Sequence, residues 1–197
     1  MTFEGTEGSG KSTQVELLGR ALSGLDPVVV REPGGTPLGE RVRELLLHGD
    51  AITPQAETFL FMAARAELLA RVIEPTLASG RVVIADRYHD STLAYQGGGR
   101  GAAVAWPDHF PRPDLTFLLA LPAEAGLARL DPDGSARDRM ESEGIAFHRA
   151  VGIAYDRLAA GEPGRFVRLD ATRPPEEIHQ SVLDRVASRL KGAVTSS

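Results

Sequence analysis

The sequence predicts an α/β fold in which a parallel sheet is covered by helices on both faces. Two observations carry this. The strands read as short continuous apolar runs rather than alternating ones, the pattern of a sheet buried on both sides. Segments of helical pattern separate one run from the next, so the strands are joined by crossovers rather than hairpins. With 197 residues, no internal repeat and no linker, the chain is expected to form one domain.

The elements follow in order. Residues 1–4 form a first strand, short against the usual ~5–6 residues. A glycine-rich stretch follows, and a helical pattern runs on to about residue 22. Asp26-Pro27 turns the chain into Val28-Val29-Val30, a β-branched run expected to be a buried strand. Arg31-Glu32-Pro33-Gly34-Gly35-Thr36 is a loop by its Pro and Gly content. Pro37 suits the first turn of the next helix, which ends near Gly49. Thr53-Pro54 opens a long helix, about 55–78, with Gly80 just past its end. Residues 82–85 are another buried strand, followed by Asp86-Arg87-Tyr88, a short helix at 91–95 and a glycine-rich stretch at 96–101. Residues 115–121 and 166–169 complete the strands, and helices are expected at 123–130, 145–159 and 175–191. Pro and Gly make 131–135 an expected mobile segment, and 194–197 an expected frayed end.

Composition narrows the function classes. Apolar residues at 42% and charged residues at 25% are those of a globular chain, not a disordered one. A net charge of −5 argues against nucleic-acid or membrane binding through a basic surface. The absence of cysteine excludes disulfides and thiolate metal sites. No apolar stretch approaches the ~18 residues of a membrane span, and the start is not that of a signal peptide, so a cytoplasmic location is the default. His48, His89, His109, His148 and His179 form no metal pair at helical spacing, so no catalytic role is assigned to them.

Gly5-Thr6-Glu7-Gly8-Ser9-Gly10-Lys11-Ser12 fits G-x-x-x-x-G-K-[ST], with Thr13 following. Glycines let successive backbone N–H groups converge on phosphate oxygens, and the helix that follows adds the positive end of its dipole. Lys11 reaches β/γ-phosphates, and the Ser12 hydroxyl suits Mg²⁺. This motif denotes a nucleoside triphosphate, not a reaction. A kinase and a switch-type nucleotide hydrolase both remain open on it.

Three clusters bear on the choice. Asp86, at the carboxyl end of a buried strand, is placed to serve Mg²⁺, and Arg87 beside it to clamp a phosphate. Arg31, Arg43, Arg65, Arg87, Arg100, Arg129, Arg137 and Arg139 form a dense arginine supply in an acidic chain, as transfer between two anions requires. Phe61 and Arg65, four apart on one helix face, offer a ring and a guanidinium to a base, although such a phenylalanine is more often core.

The chain resembles bacterial thymidylate kinases (dTMP kinases). The resemblance rests on residues 3–12, 31–36 and the run Asp86-Arg87-Tyr88-His89-Asp90-Ser91-Thr92-Leu93-Ala94-Tyr95-Gln96-Gly97, and it covers nearly the whole chain in order. It implies a three-layer P-loop NTPase fold with a five-stranded parallel sheet, a mobile lid at about 129–143, a homodimer, and transfer from ATP to dTMP with Mg²⁺ at Ser12 and Asp86. On the acceptor side it implies Glu7 near the sugar, and Arg43 and Arg87 on the phosphate. Phe61 would stack on thymine, Arg65 would bond its O4 edge, and Thr92 and Gln96 would face the base. Tyr95 would crowd the sugar 2′ position, with Glu32, Pro33 and Ser91 in the same pocket. The family's lid is basic where the P-loop lacks an arginine. Here it holds Asp131-Pro132-Asp133-Gly134, leaving Arg129, Arg137 and Arg139. Arg137 is expected to stabilise the transferred phosphoryl group, with Arg129 second.

Overall fold

A computed structural model describes residues 1–130 and 138–194. Five strands form one all-parallel sheet: β1 Thr2–Glu4, β2 Val28–Arg31, β3 Val83–Asp86, β4 Thr116–Ala120 and β5 Phe166–Asp170, in the order β2-β3-β1-β4-β5. β1 is the shortest and the most enclosed. Thr2 and Phe3 pair with Ala85 and Asp86 on one side, and Thr2 to Glu4 pair with Thr116 to Leu118 on the other.

Helices cover both faces. Phe3 stacks on Phe117 with ring centroids 5.0 Å apart. That face is closed by α1 (Lys11–Ala21) and α8 (Pro175–Val194), through Val15, Leu18, Val182 and Val186. The opposite face is covered by α3 (Pro54–Leu68), α5 (His89–Thr92) and α7 (Ile145–Gly161), through residues such as Leu68, Tyr88, Val151 and Tyr155. α2 (Pro37–His48) packs on α3 through Val42, Leu46 and Ala64, and α6 (Ala123–Leu130) lies beyond β4. Thr36 and Thr53 cap α2 and α3 by accepting from Gly39 N and Ala56 N, each with proline at the first helical position.

The structure corrects three local expectations. Val28-Val29-Val30 is an edge strand rather than a buried one, with Val29 51% exposed. An apolar run does not reveal whether it has one sheet neighbour or two. The long helix is not uniform: Leu69–Ile73 widens into a π-helical turn before continuing as α4 (Glu74–Ala78). Pro75 has no N–H, and its ring crowds the carbonyl one turn back, so the helix widens just ahead of it. The glycine-rich stretch extends α5 as a π-helical segment, Leu93–Gly99, far past residue 95. Its glycines permit close approach of α7. A Cβ on Gly98 would lie 2.3 Å from Ala154 Cβ, and one on Gly99 2.5 Å from the Phe147 ring.

Gly98→Val should therefore destabilise the chain by about 1–3 kcal/mol, the usual cost of overpacking. Urea unfolding read by circular dichroism checks this; an unchanged midpoint would mean that α7 gives way freely.

Candidate active site

The carboxyl ends of β1, β2 and β3 open into a cleft of about 530 Å³. The turn after β1 forms its floor. α1 is preceded by Gly10, which has φ 86° and makes no side-chain cap bond, so the first N–H groups of the helix are left for an anion. Gly8 must be glycine twice over: its φ is 67°, and a Cβ would meet Gly126 O at 2.2 Å. The Lys11 ammonium curls back to Thr6 O at 2.8 Å and Ser9 Oγ at 3.3 Å. Burial, with Arg87 nearby, lowers it to about 8. A bound polyphosphate would favour its charged form again.

Ser12 Oγ donates to Asp86 Oδ2 at 2.6 Å, so the two residues expected at the metal are in contact. Mg²⁺ usually takes one or two carboxylates together with substrate phosphates and water. A hydroxyl and one carboxylate beside the phosphate turn fit that requirement.

Arg87 stands between the phosphate turn and the rest of the cleft. Its φ is 70°, unusual for a side-chain-bearing residue. Its guanidinium donates to Gly5 O at 3.0 Å, Ser91 Oγ at 3.2 Å and Glu7 Oε1 at 3.2 Å. Glu7 also accepts from Tyr95 OH at 2.6 Å and from His148 Nδ1 at 3.2 Å. Burial works to raise the Glu7 carboxyl, but the His148 bond and the Arg87 and Lys11 charges outweigh it and hold the group down at about 2.

The predicted residues divide plainly. Glu7, Gly8, Gly10, Lys11, Ser12, Thr13, Glu32, Pro33, Arg43, Phe61, Arg65, Asp86, Arg87, Ser91, Thr92, Tyr95, Gln96 and Arg129 all line the cleft. Gly5, Thr6 and Ser9 do not; Gly5 and Thr6 line a second cavity behind the turn, and Ser9 is 2% exposed. Arg129 lies over the turn, donating to Gly8 O at 3.3 Å and Ala171 O at 3.0 Å. Arg43 donates to Pro33 O at 3.1 Å. Arg137 lies outside the described residues.

The arginine supply is smaller than the count suggests. Arg65 is 1% exposed, and its N–H groups go to Glu32, Thr92 Oγ1, Tyr88 O and His89 Nδ1 at 2.6–3.1 Å. To meet a base edge, it must share or exchange one of these. Arg100 and Arg139 are turned onto Glu57, at 2.7 and 2.6 Å. These guanidiniums balance buried carboxylates instead of waiting for phosphate, because a carboxylate out of water needs a partner.

Sequence reasoning missed Glu4, Glu57, Asp90, Tyr155 and the contact of His148 with Glu7. Glu4 offered one signal, a carboxylate in an otherwise buried central strand. It is fully buried and accepts from Tyr88 N at 2.8 Å, Ser91 Oγ at 2.6 Å and Tyr155 OH at 2.9 Å. Burial, reinforced by Asp90, pushes its carboxyl up to about 7. Asp90 is paired with Arg165 at 2.7 and 2.9 Å.

A carboxyl raised from 4.5 to about 7 holds its proton more tightly in the fold than in the unfolded chain. Its favourable contribution is complete below pH 4.5 and is lost as pH rises through 7. Glu4→Gln should remove this decline, so its stability relative to the parent should rise by on the order of 2–3 kcal/mol between those pH values. Urea melts at half-unit pH steps measure it; parallel curves for the two proteins would contradict the assignment.

The comparisons agree with this geometry. The family model described as thymidylate kinase matches residues 3–182. A thymidylate kinase of Thermomicrobium roseum is 46% identical over 200 residues, covering 97% of this chain and 95% of that protein. One of Pseudomonas fluorescens is 49% identical over 206 residues, covering 98% of each. The crystal structure of thymidylate kinase from Ehrlichia chaffeensis superposes with a TM-score of 0.75 at 30% identity, covering 94% of this chain and 96% of that one. With the family model matching residues 3–182 and relatives of 46–49% identity covered over nearly their whole length, this chain belongs to the thymidylate kinase family.

Proposed function

We propose that the cleft carries out in-line transfer of the γ-phosphoryl group of ATP to dTMP, giving ADP and dTDP for dTTP synthesis. One observation carries the residue assignments: Glu7 of the phosphate turn is bonded directly to both Arg87 and Tyr95. Donor and acceptor sides are thereby parts of one constellation, which a switch-type hydrolase would not need.

The N–H groups of the turn and of α1 hold the ATP phosphates. A phosphate oxygen of dTMP attacks the γ-phosphorus while the bond to the β-phosphate oxygen breaks. Lys11 moves from Thr6 O to the transferring group and neutralises its charge. Arg87 and Arg43 hold the acceptor phosphate, and Arg87 can turn only a little because Gly5 O and Ser91 Oγ anchor it. Phe61 stacks on thymine, Arg65, Thr92 and Gln96 face its polar edge, Glu32 and Pro33 close the pocket, and Tyr95 occupies the space of a 2′-hydroxyl. Ser12 and Asp86 would hold Mg²⁺, which would supply Lewis-acid stabilisation to the nucleotide phosphates. Arg137 of the lid meets the transferring phosphoryl group, and Arg129 steadies the turn through Gly8 O.

The reading extends to the setting. No described helix is long and apolar enough to cross a membrane. A single domain in the cytoplasm is the natural form, with neither nucleic acid nor membrane as partner. The exposed Leu45 and Phe59, on the neighbouring α2 and α3, offer an apolar surface for a homodimer.

Steady-state assays with ATP and each nucleoside monophosphate test the reaction: dTMP should be the best acceptor, and hydrolysis without acceptor should be negligible. Lys11→Ala should lower kcat by about 10²–10³-fold or more with an unchanged thermal melt. Near-normal turnover would remove the phosphate-cradle assignment. Arg137→Ala should lower kcat with little change in either KM, the mark of a contact made only in the transition state. If Arg129→Ala shows that pattern instead, the lid assignment passes to Arg129.

A further inference from the structure

One carboxylate at the base end of the cleft has no part in the mechanism above. Glu57, in the first turn of α3, is fully buried. Its Oε1 accepts from Gln96 Nε2 at 2.8 Å and Arg100 Nε at 2.7 Å, and its Oε2 faces the Arg139 guanidinium at 2.6 Å. The cations are themselves tied down. Arg139 donates from Nε to Leu46 O at 2.8 Å and from its backbone N–H to Leu47 O at 3.0 Å, and Arg100 also pairs with Glu143 at 2.8 Å. Glu57 is therefore held from both sides and is not free to swing away.

This decides the orientation of the Gln96 amide. A carboxylate between two guanidiniums offers only acceptors, so Gln96 must present its NH₂ group to it. Turning the amide over would set a carbonyl oxygen against a carboxylate oxygen in a buried site, with no hydrogen between them. With its NH₂ committed, Gln96 has its carbonyl oxygen left over. The residue is 1% exposed yet lines the cleft, and among the described residues nothing donates to that oxygen.

We propose that Glu57 is a positioning residue that sets pyrimidine selectivity: by fixing Gln96 with its acceptor oxygen toward the cleft, it selects a base whose ring N3 carries a hydrogen. Thymine has such an N3–H. Cytosine has a bare N3 acceptor, which would face the Gln96 oxygen with no hydrogen to share. Discrimination then comes from an unmatched acceptor pair imposed by a residue that never touches the substrate. The proposal rests on the reading that the base sits against Gln96.

The test compares kcat/KM for dTMP and dCMP, with ATP as donor, in the parent chain, Glu57→Gln and Gln96→Met, each checked by thermal melt. An amide at position 57 accepts either orientation of Gln96, so Glu57→Gln should raise the dCMP-to-dTMP ratio at least about tenfold. Gln96→Met should raise the KM for dTMP and erode the same discrimination. If Gln96→Met raises that KM while a folded Glu57→Gln keeps the parental ratio, the positioning role is wrong and the base reading survives. If Gln96→Met leaves the dTMP KM unchanged, the base reading fails and takes the proposal with it. Should Glu57→Gln not fold, the parent chain decides. It has four glutamines, Gln14, Gln55, Gln96 and Gln180, so selective ¹⁵N and ¹³Cδ labelling is simple to assign with Gln96→Met. On addition of dTMP, the Gln96 Cδ resonance should move while its NH₂ resonances stay in place. The reverse pattern would show that the NH₂ group leaves Glu57 for the base.

Discussion

Four acceptors from three parts of the chain meet the guanidinium of Arg87: the Gly5 carbonyl and the Glu7 carboxylate of the turn after β1, the Ser91 hydroxyl of α5 and the Tyr155 hydroxyl of α7. The turn that follows β1 is thereby tied to the helix that follows β3. β1 has only three residues in the ladder, and its neighbours hold it on both sides. Its end and the end of β3 are consequently at a set separation, and the Arg87 side chain spans it from a backbone at φ 70°. A strained backbone of this kind persists when its surroundings over-determine it. Here the ladder below and the four acceptors above do so. The turn after β1, the hydroxyl–carboxylate pair of Ser12 and Asp86, and the rest of the cleft all take their relative positions from this junction.

Beneath it lies a layer of buried charge. Glu4 accepts three hydrogen bonds under Tyr88 and Ser91, Asp90 is paired with Arg165, and Glu32 with Arg65. Each isolated carboxylate would be costly out of water, and each is matched by donors from a different element. The consequence is directional. A charge network of this kind holds its donors at set angles, so Ser91, Thr92 and Arg65 present defined faces to the cleft before any substrate arrives. The burial that raises Glu4 to about 7 and the donors that lower Glu7 to about 2 act on two carboxylates only three residues apart, one below the turn and one facing the cleft.

Much of this was legible in the sequence. The continuous apolar runs announced a parallel sheet, because strands covered on both faces have no polar side to alternate. The spacing of Gly5, Gly10, Lys11 and Ser12 announced a phosphate turn, since backbone N–H groups can converge only where side chains are absent. Asp86 beside Arg87, and Phe61 one turn before Arg65, marked the second half of the cleft. The resemblance to thymidylate kinases, carried by residues 31–36 and 86–97, then linked these parts to one reaction.

Pattern and spacing therefore settle local matters: which segments are strands and helices, and which residue types gather around the turn after β1. The pairing of charges is settled by folding. The sequence does not show the partners of its arginines: Arg65, Arg100 and Arg139 are turned onto Glu32 and Glu57, while Arg87 and Arg129 donate to the turn after β1. The strand order that leaves Val29 at an edge, and the approach of α7 that demands Gly98 and Gly99, were equally hidden. The reason is common to all of them. Periodicity and motif spacing report contacts within a few residues, whereas ion pairing, burial and sheet order depend on partners tens of residues away, and those meet only when the chain has folded.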